Sequence, residues 1–179
     1  MNNDTHTAVR LARITLKSFK TVKWMSEETT CFTATVLLDG KVIGEASNEG
    51  HGGSTFVRYV SPAARDIADQ FSNTICPGDV KGWEFMAGKH FSFDELVDII
   101  VEREMIKKDT ARIVAKVRRE AIKKAHYLKT TTQKGFVSCF KGVNDLNRDK
   151  AVAQAKANPE FKTMVADMTD AEIAEWFIA

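Results

Sequence analysis

The run Asn48-Glu49-Gly50-His51-Gly52-Gly53-Ser54 holds the densest grouping of residues able to do chemistry in this chain. Glycines let successive backbone N–H groups turn into one concavity, and such nests bind anions. His51, set among them, is of the type that adds charge or moves a proton near neutral pH. Asn48, Gly50, His51, Gly52 and Gly53 therefore form one candidate site. The competing reading is a glycine-rich turn between two strands with His51 exposed and idle. The pattern matches neither G-x-G-x-x-G nor the P-loop, which needs a Lys-Ser/Thr pair and a following helix; here a strand is expected to follow. Glu27, Glu28, Glu45 and Glu49 are the carboxylates a hairpin could bring near His51 for general acid/base work, although adjacent Glu27 and Glu28 also read as a solvated turn. Cys31 or Cys139 beside His51, His90 or His126 would make a nucleophile–base pair, but no spacing supports one.

The second candidate is cationic. Arg103, Lys107, Lys108, Arg112, Lys116, Arg118, Arg119, Lys123, Lys124 and Lys129 are accompanied only by Glu104, Asp109 and Glu120, whereas Asp94, Glu95, Asp98 and Glu102 come before them. Acid at the start of a helix and base at its end complement the helix dipole, which is a purely structural reason for the gradient. The functional reading takes Lys107, Lys108, Arg112, Lys116, Arg118, Arg119, Lys123 and Lys124 as a stripe for phosphate backbones or an acidic protein surface. Only Tyr127 interleaves the stripe as a stacking residue, which argues against single-strand recognition.

These residues need elements to hold them. Leu11 to Lys17 alternates as a half-buried strand, and Thr21 to Met25 is β-prone. Asp39-Gly40 between two β-rich runs is a strong hairpin signal, because both central residues of a type I′ turn take positive φ. That turn pairs Leu38 with Lys41, Leu37 with Val42, Val36 with Ile43 and Ala34 with Glu45. Phe32, Ala34, Val36 and Leu38 then share one face, and Gly44 marks a weak point or a bulge. Thr55 to Val60 makes a further strand. Ser61-Pro62 opens a helix, Ser61 as cap and Pro62 at its first position, with Ala64, Ile67, Ala68 and Phe71 as its apolar stripe. Trp83 and Phe85 fit either a short strand or the anchors of a loop.

Ser92 and Glu95 form a capping box. From there to about Leu128 neither Gly nor Pro interrupts, and Leu96, Ile99, Ile100, Ile106, Ile113, Val117, Ala121 and Leu128 follow helical spacing. One long helix is favoured over two that break near Asp109-Thr110. Gly135 to Lys141 reads as a strand. Asn147 caps a short helix through Ala157, Asn158-Pro159 opens another turn of helix carrying Phe161 and Met164, and Thr169 with Glu172 forms a second capping box. Ile173, Trp176 and Phe177 on that last helix must dock in a core or on a partner. Strands early and helices late give an α+β class: an antiparallel N-terminal meander packed against helices, one long and basic, in a single domain over 1–179 with a β-rich part at 1–60.

The chain has 179 residues, 44% hydrophobic and 28% charged, with a net charge of +2. That composition is ordinary for a globular domain, and the charge alone implies no nucleic-acid partner. No apolar run reaches the length needed to span a bilayer. Residues 1 to 9 are polar and aperiodic, an irregular start without the features of a signal peptide; a cytoplasmic protein is expected. Cys31, Cys76 and Cys139 are odd in number and far apart, so neither a disulfide framework nor a zinc site is expected. Cys31 and Cys139 lie in β-like runs, where a free cysteine behaves as a small buried hydrophobe. No metal and no cofactor are expected.

Ser26-Glu27-Glu28-Thr29, Cys31-Phe32, Ala34, Val36, Asp39-Gly40-Lys41 and Ile43-Gly44, followed by Ser47-Asn48 and Gly50-His51-Gly52-Gly53, together resemble a recurrent N-terminal pattern in small accessory proteins of bacteriophages and other mobile elements. The likeness covers residues 20 to 60 and brings no functional residues with it. What it implies is context: such proteins act by binding and blocking a host machine, defence complexes included. The expected function is thus a non-enzymatic interaction protein that inhibits a host nucleoprotein or defence complex by protein–protein contact. A nucleic-acid-binding protein using the basic helix, and a small enzyme or ligand sensor using the glycine loop and His51, are the alternatives.

Overall fold

The structure is a computed structural model that describes residues 9–76, 80 and 89–178. Residues 1–8 of the expected irregular start, and the Trp83–Phe85 segment, lie outside the described residues. The class is α+β: a four-stranded antiparallel sheet comes first, and helices dominate the rest of the chain. Two compact units divide the chain, Met1–Glu104 and Met105–Ala179.

In the first unit, β1 (Ile14–Thr21), β2 (Phe32–Leu38), β3 (Lys41–Asn48) and β4 (Phe56–Tyr59) pair in sequence order. The Asp39-Gly40 turn takes φ of 52° and 76°, as type I′ requires. Leu38 faces Lys41 and Leu37 faces Val42 as expected. Beyond that the register differs: Val36 faces Gly44 and Ala34 faces Ala46. Ile43 is the extra residue of a bulge, which moves every later pair by one. The shift keeps Ile43 buried and puts Ala46, rather than Glu45, on the core face. Phe32, Ala34, Val36 and Val57 fill that face.

Helix α1 (Pro62–Ser72) starts as the sequence indicates, with the Ser61 hydroxyl accepting from the Ala64 amide at 3.1 Å. It buries Ala64, Ala68 and Phe71; Ile67, assigned to the same stripe, is exposed instead. Helix α2 is continuous over Phe93–Lys124, and Asp109 pairs with Arg112 at 3.0 Å rather than capping a second helix. The Ser92–Glu95 capping box is present in both directions, at 3.2 and 2.7 Å. In this unit Phe93, Leu96, Val97 and Ile100 are buried, and Phe93 meets Tyr59 and Phe71.

The second unit departs further from expectation. The helix stops at Lys124 because Ala125 takes a φ of 50°, and Tyr127–Lys129 is a strand, β5. It pairs with β6 (Phe161–Met164), in the stretch expected to be helical. Asn158 makes a turn there, accepting from the Glu160 amide at 2.9 Å, and the chain leaves that turn extended. Gly135 to Lys141 contributes only an isolated bridge, Ser138 to Tyr127, instead of a strand. Helix α3 (Arg148–Lys156) follows Asn147, whose side chain does not cap it as expected but turns back to accept from the Asn144 amide at 2.8 Å, and α4 (Asp170–Phe177) follows the Thr169–Glu172 capping box. One apolar cluster joins Val114, Ala121, Leu128, Val165, Met168 and Ile173. A second joins Ala125, Tyr127, Ala151, Ala155 and Met164.

The two departures from helix, at β5 and at β6, share a cause. Burial of Tyr127, Leu128 and Met164 against partners distant in sequence outweighs the weak local preference for helix.

Candidate functional site

The glycine loop is knotted into the first unit by one side chain. Asn48 is 7% exposed. Its Oδ1 accepts from the Thr29 hydroxyl and the Gly50 amide, both at 2.8 Å. Its Nδ2 donates to the Gly53 carbonyl at 2.9 Å and to Thr55 Oγ1 at 3.4 Å. The Gly50 carbonyl in turn accepts from the amides of Glu27, Glu28 and Thr29 at 3.0, 3.1 and 3.3 Å. The Gly52 amide donates to Thr29 Oγ1 at 3.3 Å.

An anion nest needs free amides pointing into one hollow. Here the Gly50 and Gly52 amides are already spent on Asn48 and Thr29, so their role is to tie β3 to the segment before β2. Gly50 is required for that tie. Its φ is 91°, and a Cβ would sit 2.0 Å from the Met25 carbonyl oxygen.

His51 does meet a carboxylate, with Nδ1 3.2 Å from Glu27 Oε2. Both side chains are more than half exposed, so water competes for each of them. Beside them lies a depression of about 410 Å³ lined by Asn48, Glu49, His51 and Phe56. Glu28 and Glu45 have no place in its lining. Cys31 is buried as expected, while Cys76 and Cys139 are exposed, which corrects the reading of Cys139 as a core residue.

Thr55 extends the network where sequence reasoning saw nothing. It is buried, and its hydroxyl donates to Asp98 Oδ1 on α2. Burial pushes the Asp98 carboxyl above the ordinary carboxylate range, with the Thr55 hydrogen bond acting the other way. One helical turn earlier, burial and then the Asp98 charge raise Asp94. Tyr59 hydrogen-bonds Asp94, and burial, followed by that carboxylate, pushes its phenol up to about 12. A cleft of about 690 Å³ opens at this point between β4, the start of α1 and the start of α2. Its polar lining includes Tyr59, Ser61, Arg65, Asp69, Ser92 and Asp94. No three-residue set of metal-ligating side chains occurs among the described residues. The signal in the sequence was the four-residue spacing of Asp94 and Asp98, which places both on one face of α2.

The cationic half of α2 sorts itself by face. Val114 and Ala121 are buried. Lys108, Arg112, Lys116, Arg119 and Lys123 follow one another at steps of four, four, three and four, so they form a line on the side of the helix turned away from those two. With about 1.5 Å of rise per residue the line is about 22 Å long. All five are exposed.

Arg112 pairs with Asp109, whereas Lys116, Arg119 and Lys123 form no salt bridge among the described residues. Lys107 and Lys124 lie off the line, and Lys124 pairs with Glu120 at 2.9 Å. Arg118, grouped with the stripe by sequence, has a different task. It donates to the carbonyls of Ala166 at 2.9 Å and Met168 at 2.8 Å, and to Asp170 at 2.6 Å. That fork holds the entry to α4, so Arg118 leaves the candidate surface. Tyr127 is also unable to serve, being buried and stacked on Phe140 at 5.7 Å.

Among the described residues no helix is long and apolar enough to cross a membrane. Neither a known protein family nor a curated protein nor a solved structure matches the chain.

Proposed function

We propose that the protein is a non-enzymatic interaction protein that presents the exposed cationic line of α2 to an acidic protein surface. The observation that carries this reading is the line itself. Lys108, Arg112, Lys116, Arg119 and Lys123 share one solvent-facing side, and three of them make no salt bridge among the described residues. Unpaired surface cations raise the local potential and speed encounter with an anionic partner. In the glycine loop the amides of Gly50 and Gly52 are consumed internally, and the His51–Glu27 pair is exposed. Both observations favour binding over turnover. The setting we propose is the one the hairpin's resemblance implies, a host nucleoprotein or defence complex blocked by contact.

The test is retention of a partner from host lysate by the intact chain and by the triple variant Lys116→Glu, Arg119→Glu, Lys123→Glu. Circular dichroism checks that the fold is unchanged. A protein held by the wild type and released by the variant supports the reading. Equal retention by both defeats it, as does a wild type that retains only nucleic acid.

A further inference from the structure

The core of the second unit does not use every apolar residue that the sequence puts on α2. Ile106 is 59% exposed and Ile113 is 39% exposed, although both belong to the spacing that predicts a buried stripe. The reason is a rotation of the buried face. Val114 and Ala121 point into the cluster with Leu128 and Ile173, and Ile113 is left one residue to the side. Ile113 instead forms a wall of a shallow groove of about 310 Å³ that contains Val117, Val137 and Phe177.

The rim of that groove is not equally charged on all sides. Lys116, a member of the cationic line, stands at it. Glu120, also at the rim, is engaged by Lys124 at 2.9 Å. His126, the remaining rim group, is held below its ordinary value by burial and then by Lys124, which disfavours its charged form. An apolar floor therefore runs beside a row of cations in which Lys116, Arg119 and Lys123 form no salt bridge among the described residues, although Arg119 and Lys123 lie close enough to Glu120 to stabilise its charge.

We infer that the groove formed by Ile113, Val117, Val137 and Phe177 receives the apolar edge of an acidic amphipathic helix from a partner protein, whose carboxylates meet Lys116, Arg119 and Lys123. This rests on the proposed interaction function and names the kind of partner. Helices that dock in apolar grooves do so through side chains spaced i, i+3 or i+4, and i+7. A groove this size takes a small number of such anchors. The flanking cations select for acidic residues on the neighbouring face and against basic helices. A phosphate backbone would satisfy the cations and leave Ile113 and Phe177 uncovered.

The experiment uses the full chain and a fluorescent peptide of about 18 residues, roughly five helical turns. Leu occupies one helical edge and Glu the remaining face. The comparison ligands are a scrambled peptide of the same composition and a DNA duplex of about 20 base pairs, long enough to span the cationic line. The patterned peptide is expected to bind, and the scrambled one to bind at least about tenfold more weakly. Ile113→Asp is expected to cost a similar factor, and Ile113→Met to restore binding. Arg119→Glu with Lys123→Glu is expected to weaken binding and flatten its salt dependence.

Equal affinity for the two peptides, or no change with Ile113→Asp, overturns the groove assignment and leaves the charge-based function standing. So does absence of peptide binding while the triple charge reversal still releases the lysate partner. Duplex bound more tightly than the patterned peptide overturns both readings. A second copy of this chain occupying the groove would appear as a dimer in gel filtration that Ile113→Asp dissociates, and that result also overturns the inference.

Discussion

Arg118 and Arg119 are adjacent in sequence and opposite in role, which makes them the sharpest test of the structure. Arg118→Ala removes two hydrogen bonds to the carbonyls of Ala166 and Met168 and one to Asp170. Hydrogen bonds from a charged donor contribute about 1.5–3 kcal/mol each in protected sites. The Arg118 side chain is 31% exposed, so water reaches part of the vacated space and the lower end applies. The Asp170 end is mostly solvent-exposed and adds less than about 1 kcal/mol.

The sum is about 3–4 kcal/mol, which corresponds to roughly a few hundredfold in an opening equilibrium. The sensitive reporters are amides of α4, such as Ile173, whose N–H bonds the Thr169 carbonyl at 3.0 Å. Their hydrogen exchange should accelerate by about that factor. The urea midpoint should fall by about 1–2 M if the slope is typical. Arg118→Lys should not rescue, because one ammonium cannot span three acceptors in a fixed fork. Arg119→Ala should stay within about 0.5 kcal/mol of the wild type. Equal exchange rates in Arg118→Ala and Arg119→Ala would refute the assignment of the two side chains.

Gly50→Ala should destabilise the first unit by at least about 2 kcal/mol, since it combines a strained φ with a backbone clash. Gly53→Ala, where a Cβ meets nothing within 4 Å, should change the denaturation midpoint little. Asp98→Asn keeps an acceptor for Thr55 and removes a carboxylate that burial holds above its ordinary range. The folded state favours the protonated Asp98, so ionisation costs stability as pH rises through about 4. The variant should therefore melt higher than the wild type at neutral pH. The difference should vanish as pH falls below about 4, where both folded and unfolded Asp98 are protonated. Thermal melts across pH 3–7 check this; a constant offset would refute the assigned sign.

Several local signals in the sequence hold where a few neighbouring residues decide the outcome. Asp39-Gly40 makes its turn, Ser61-Pro62 and the two capping boxes open their helices, and α2 runs unbroken because nothing in it opposes a helix. The loop's composition was legible as well, but its use was not. Whether the amides of Gly50 and Gly52 face a ligand or Asn48 and Thr29 depends on how β3 meets the segment before β2. The Tyr59–Asp94–Asp98 cluster was missed for the same reason, since Tyr59 and Asp94 are brought together only by packing.

Composition and spacing by themselves determined the α+β class, the hairpin, the helix starts and the segregation of charge along α2. Each of these follows from interactions within a few residues. The tertiary structure decided the rest: the bulge at Ile43, the end of α2 at Ala125, the β5–β6 pairing, and which arginine of an adjacent pair faces a carbonyl and which faces solvent. A rotation of one residue about a helix axis decides whether a side chain is buried or free to bind, and only the partners across the core fix that rotation.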